Sequence, residues 1–136
     1  MINGVILQRI EILDQVLREL RSLGPVQVQQ LEADWRTRRA VERDLQVAVE
    51  TVVDVCQRLI ALNGEGPAST GADSVRRCVE MGALSSEEPY RRMVQFRNFI
   101  VHRYDQVDVS VLADILLHRL PDFDRFRDEV LAYVTR

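Results

Sequence analysis

Apolar residues recur along this chain at intervals of three and four, the spacing of one face of an α-helix. Ile6, Ile10, Leu13, Leu17 and Leu20 form the first stripe and predict a helix from about Ile2 to Leu23, which Gly24-Pro25 stops. The longest stripe, Val41, Leu45, Ala48, Val52, Val55, Leu59 and Leu62, predicts a second helix that Asp34 caps. Val49, Val53, Cys56 and Ile60 widen its apolar face, so this helix should lie centrally or touch neighbours on two sides. Arg39, Arg43, Gln46, Glu50, Asp54 and Gln57 are left for its wet side. Between the two helices, Val28, Leu31 and Trp35 suggest an apolar turn packed under the loop.

Asn63-Gly64-Glu65-Gly66-Pro67 strings together helix-stop and turn residues and opens a flexible loop to about Gly71. It lacks the Gly-Lys-Ser/Thr ending of a phosphate loop. A short helix over about Asp73–Met81 follows, ending at Gly82. Ser85 and Glu88 then have the spacing of a capping box, with Pro89 in the first turn, and predict a helix from Ser86 to about Val101–Arg103. Asp108 is placed to cap a last helix whose apolar side is Val109, Leu112, Leu116, Leu120, Phe123, Phe126 and Val130. Pro121 should kink or split it. No alternating strand pattern and no internal repeat interrupts this reading. The expected fold is an all-α, mostly up-and-down bundle of four long helices and a short one, forming one domain over residues 1–136.

Composition narrows the class. At 136 residues, 46% hydrophobic and 29% charged, the chain suits one folded domain near the size where helical proteins gain by dimerising. Residues 1–23 carry six charged side chains and lack the apolar core of a signal peptide, and no run approaches the roughly 18 apolar residues of a membrane span. Two cysteines, Cys56 and Cys78, on apolar helical positions point to reduced thiols in a cytoplasm. Two cysteines and two separated histidines give no zinc pattern, so no metal and no cofactor are expected. The net charge of −3 argues that any nucleic-acid contact is local. All 18 basic residues are Arg, the better cation for bidentate phosphate and carboxylate contacts. Arg36, Arg38, Arg39 and Arg43 are the densest group, but Glu32, Glu42 and Asp44 lie close enough to neutralise much of it.

Chemical density peaks between Met93 and Asp108. Arg97, Asn98, His102 and Tyr104 there form an Arg-Asn-x3-His-x-Tyr pattern that combines a permanent cation, an amide, an imidazole and a phenol at a helix end. At 100° per residue Arg97 and Tyr104 share a line with Tyr90, Val94 and Val101, so a guanidinium and a phenol interrupt an apolar stripe. Such a stripe faces a core or another subunit, where a charge needs a partner. His102 falls about 140° from Arg97 on a continuous helix, which favours a site at a seam between helices or subunits. From spacing alone a structural set fits better, with Arg97 paired to Asp105 or Asp108, Asn98 and His102 satisfying backbone groups, and Tyr104 packed at the helix end. His118, on the polar side of the last helix, reads as a surface residue.

Arg97-Asn98-Phe99-Ile100-Val101-His102-Arg103-Tyr104 resembles the Arg-x4-His-x-Tyr motif of the HEPN superfamily. With Ala40–Gln46 in the second helix and Val107–Leu112 after the motif, nearly the whole chain is similar to HepT toxins. Those are encoded beside minimal nucleotidyltransferase antitoxins in type VII toxin–antitoxin pairs. The resemblance implies a metal-independent endoribonuclease working as a homodimer whose paired motif helices line a cleft. It makes His102 the general base or acid for attack of a ribose 2′-hydroxyl, and Arg97 the stabiliser of the charged phosphate. Asn98 and Tyr104 would support them by orienting His102 or contacting RNA, and Tyr104 would be the acceptor of AMP from the antitoxin. Two other readings stay open: a non-catalytic HEPN partner that recruits a nucleotidyltransferase, and a plain helical dimerisation protein.

Overall fold

The computed structural model describes residues 4–102 and 108–136, the side chains of 98–102 excepted. Every regular element among them is helical: α1 (Gly4–Ser22), α2 (Val28–Ala33), α3 (Trp35–Leu62), α4 (Gly71–Glu80), α5 (Tyr90–His102) and α6 (Val109–Asp114). A π-helical turn (Ile115–Arg119) then joins α6 to α7 (Leu120–Val134). The all-α class is the expected one, with one short helix more than the stripes predict.

α3 is the axis of the bundle, packing against α1, α4 and α5. Both of its stripes explain this: Val41, Leu45, Ala48, Val52, Val55 and Leu59 are buried on one, Val49, Cys56 and Ile60 on the other. Each fully buried aliphatic side chain contributes roughly 1.5–3 kcal/mol. Leu62 departs from the pattern at 55% exposed, because it is the last residue of the helix and lies past the end of the packed face. Asp34 caps α3 as expected. Its carboxylate accepts from the N–H groups of Arg36 and Thr37 and from the Thr37 hydroxyl, and the hydroxyl bond above all holds it below its usual pKa.

The segment after Gly24-Pro25 winds into α2. The Gln30 carboxamide accepts from the Gln27 N–H at 2.7 Å, while Leu31 and Val26 enter the core. Trp35 does not join them. It opens α3 and is 62% exposed, with the Arg36 guanidinium over its ring.

Two further expectations are corrected. The loop before α4 is tied down, since the Gln57 amide both donates to the Ala68 carbonyl and accepts from the Ala68 N–H, and Arg77 pairs with Glu65 at 3.1 Å. The capping box at Ser85 does not form, and α5 begins at Tyr90, just after the cis Glu88–Pro89 peptide. The Ser85 N–H instead donates to Glu129 of α7 at 3.1 Å, so a long-range partner outcompetes the local one. At the other end of the chain, Pro121 acts as expected. It lacks an N–H and crowds the carbonyl four residues back, and the helix answers with the π-helical turn immediately before α7.

Ion pairs stitch the outside, including Arg127–Asp14 at 2.9 Å and Arg21–Asp124 between α1 and α7. Arg38 and Arg39 both pair with Glu42, which neutralises part of the basic group as anticipated. No helix of the described residues is long and apolar enough to cross a membrane.

Candidate functional site

The first half of α5 is clamped on three sides. Tyr90 is fully buried, its ring edge-on to Phe126 at 5.5 Å, and its hydroxyl donates to Glu129. Burial, then the bond to a carboxylate, raises the phenol above its usual pKa, so it stays a donor. Met93 and Val94 are buried one turn on. Gly71, the first residue of α4, presses so close that a Cβ there would come within 2.4 Å of Val94 Cγ1 and 3.4 Å of Val53 Cγ2. That contact seats α5 against α3 three residues before Arg97.

Arg97 emerges from this clamp at the seam of α3 and α5. Its Nε lies 3.9 Å from Oε1 of Glu50 on α3, a distance for charge attraction and too long for a hydrogen bond. Glu50 is itself held by the Gln46 amide at 3.0 Å. The Arg97 Nε is buried without a hydrogen-bond partner, yet the side chain as a whole is 39% exposed. No hydrogen bond among the described residues engages the guanidinium. Its inner edge is therefore anchored electrostatically, and among the described residues its outer nitrogens have no hydrogen-bond partner, which leaves them able to make the bidentate contacts that suit phosphate.

Glu50 is the residue that sequence reasoning missed. Its spacing put it on the wet side of α3, and nothing local links it to a residue 47 positions on. Of the partners suggested by spacing, Asp108 caps α6, accepting from the Ser110 N–H at 2.8 Å and from the Ser110 hydroxyl at 2.7 Å; Asp105 lies outside the described residues. Asn98 and His102 fall within the last turns of α5, but their side chains lie outside the described set, as does Tyr104 entirely. His118 is exposed in the π-helical turn, as expected. Cys56 and Cys78 are buried free thiols. The Cys78 Sγ donates to the Cys56 carbonyl at 3.6 Å, and the neighbouring Cys78 thiol, then burial, pushes the Cys56 thiol well above its usual pKa. Among the described residues no three His, Cys, Asp or Glu side chains gather as a metal site would require.

The fold is that of HEPN toxins. The chain superposes with a TM-score of 0.86 on a tri-AMPylated Shewanella oneidensis HEPN toxin solved in complex with an MNT antitoxin, at 20% identity over 96% of this chain and 99% of that one. It matches a toxin–antitoxin structure with AMP-PNP equally well, at the same identity and coverage. Residues 8–130 match the Ribonuclease HepT-like family model, and the chain belongs to that family. A curated relative, the mRNA nuclease HepT of Shewanella oneidensis, is 20% identical over 132 residues, covering 96% of this chain and 98% of the relative.

Proposed function

We infer that this protein is a HepT-type toxin, a metal-independent endoribonuclease acting at a homodimer cleft through Arg97 and His102. The observation that carries this reading is a half-exposed Arg97, held by one carboxylate and with no other partner among the described residues, at the start of an Arg-Asn-x3-His-x-Tyr motif in a Ribonuclease HepT-like chain. In the reaction, His102 takes the proton from a ribose 2′-hydroxyl as its oxygen attacks the adjacent phosphorus. The bond to the 5′-oxygen breaks, and that oxygen is reprotonated, leaving a 2′,3′-cyclic phosphate and a 5′-hydroxyl. Imidazole titrates near neutrality and suits both proton transfers. Arg97 stabilises the charge that builds on the phosphoryl oxygens. Asn98 orients His102 or contacts the RNA, and Tyr104 hydrogen-bonds a phosphate oxygen.

The relative crystallised with an MNT antitoxin is AMPylated, which supports the same control here. The Tyr104 oxygen attacks the α-phosphorus of ATP on a cognate minimal nucleotidyltransferase antitoxin, and pyrophosphate leaves. The adenylate then sets bulk and negative charge beside the motif and excludes RNA. Both partners work in the cytoplasm.

The purified dimer, with Tyr104 shown unmodified by mass spectrometry, is expected to cleave RNA in EDTA, and His102→Ala to stop it. Intact RNA under those conditions overturns the reading. It would leave the non-catalytic recruitment subunit, which the Arg97–Glu50 pair also fits, since an arginine kept only for structure needs the same partner.

A further inference from the structure

Beside the Arg97–Glu50 pair, α3, α5 and the α6–π–α7 segment enclose a cavity of about 200 Å³. It lies along the same two helices as the site: Phe96, which lines it, precedes Arg97 in α5, and Val49, which also lines it, precedes Glu50 in α3. Its interior is apolar and partly aromatic, with Met93, Phe96, Ile115 and Phe123 among the lining residues. Four charged side chains also line it, Arg92 and Arg119 with Asp114 and Asp122. None of the four has an ion pair or hydrogen bond among the described residues, in contrast to the Arg21–Asp124 and Arg127–Asp14 pairs between α1 and α7.

We propose that this cavity is a base-binding subsite, taking one unpaired nucleobase of the RNA next to the phosphate that Arg97 grips. The charge set decides between ligand classes. A phosphate would call for cations without the two carboxylates, and a basic peptide for carboxylates without the two guanidinium groups. A neutral heteroaromatic ring uses both, giving its N–H groups to Asp114 or Asp122 and accepting from Arg92 or Arg119. Its faces stack on Phe96 and Phe123 as bases stack on aromatic side chains. The cavity is smaller than the roughly 300–1,000 Å³ clefts that enclose drug-sized ligands, which suits a single ring system with its ribose outside.

The role in cleavage rests on the ribonuclease reading, so the test has two independent arms. In the first, cut sites on a mixed-sequence RNA are mapped for the wild type, Asp114→Asn and Arg119→Gln. The wild type should favour one base beside the cut by about tenfold, and each substitution should flatten or re-rank that preference. A preference identical in all three overturns the subsite. In the second arm, saturation-transfer NMR measures binding of adenosine, guanosine, cytidine and uridine to the intact protein. One or more should bind, and the variant combining Asp114→Asn with Arg119→Gln should lose at least tenfold in affinity. Nucleoside binding without RNA cleavage sinks the ribonuclease reading and keeps the subsite; cleavage without nucleoside binding or base preference does the reverse. Loss of the dimer in sedimentation by either variant, with base preference unmoved, assigns the cavity to a second copy of the chain and overturns the proposal.

Discussion

The two halves of α5 are built on opposite terms. The first half is anchored in the core on one face: Tyr90 is locked by Phe126 and Glu129, and Val94 is wedged under Gly71. The second half opens at Arg97, which keeps one carboxylate at 3.9 Å and an unmet Nε. Rigidity upstream lets a poorly satisfied cation keep a fixed place downstream. A residue with every hydrogen bond filled would have nothing left for a phosphate.

The contrast can be broken at either half. Tyr90→Ala removes the buried ring and one of the donors to Glu129, and should cost about 3–5 kcal/mol of stability in chemical denaturation. Arg97→Ala should leave the denaturation midpoint almost unmoved while cutting RNA cleavage by roughly 10²–10³-fold; a large loss of stability instead would make Arg97 a structural residue. Gly71→Ala drives a Cβ into Val94 and should cost about 1–3 kcal/mol, with cleavage reduced as α5 shifts. Glu50→Gln keeps the shape but removes the charge that anchors Arg97. It should lower kcat by about tenfold with little change in thermal midpoint, and Glu50→Asp should recover part of the loss.

The smallest effect belongs to the opposite side of α3. There burial, then a hydrogen bond shared with Glu19, pushes the Asp44 carboxyl up to about 6. The folded chain thus binds this proton more tightly than the unfolded chain does. The associated stability is present at acid pH and is lost as pH rises through about 6. Asp44→Asn should remove that slope. It should raise the thermal midpoint by a few degrees at pH 8, less than about 1 kcal/mol after solvent screening, by a smaller amount at pH 5, and not at all below the ordinary carboxylate pKa of about 4.

Much of this was legible in the sequence where the cause is local. The stripes of α1 and α3 name their buried residues almost one for one, because helical spacing and core burial are the same fact. Asp34 and Asp108 cap α3 and α6 as their positions in the sequence suggest. The failures share a different cause. Ser85 gives its N–H to Glu129, 44 residues away, and Arg97 finds Glu50, 47 residues away. Both partnerships exist only after the bundle has formed, so no local spacing encodes them. Arg97, Asn98, His102 and Tyr104 stood out by chemistry and by family likeness. Their meeting across a seam rests on that likeness, since the side chains of 98–102 and residues 103–107 lie outside the described set.

The π-helical turn at Ile115–Arg119 also speaks to ancestry. A π turn holds about one residue more than the α turn it replaces, so the helix carries an extra residue here without rebuilding the bundle. Closing it would rotate everything downstream by about 100°, turning Phe123 and Phe126 away from the core. Relatives with an unbroken last helix should therefore align to this chain with a one-residue gap between 115 and 119, and share its hydrophobic register on both sides of that gap.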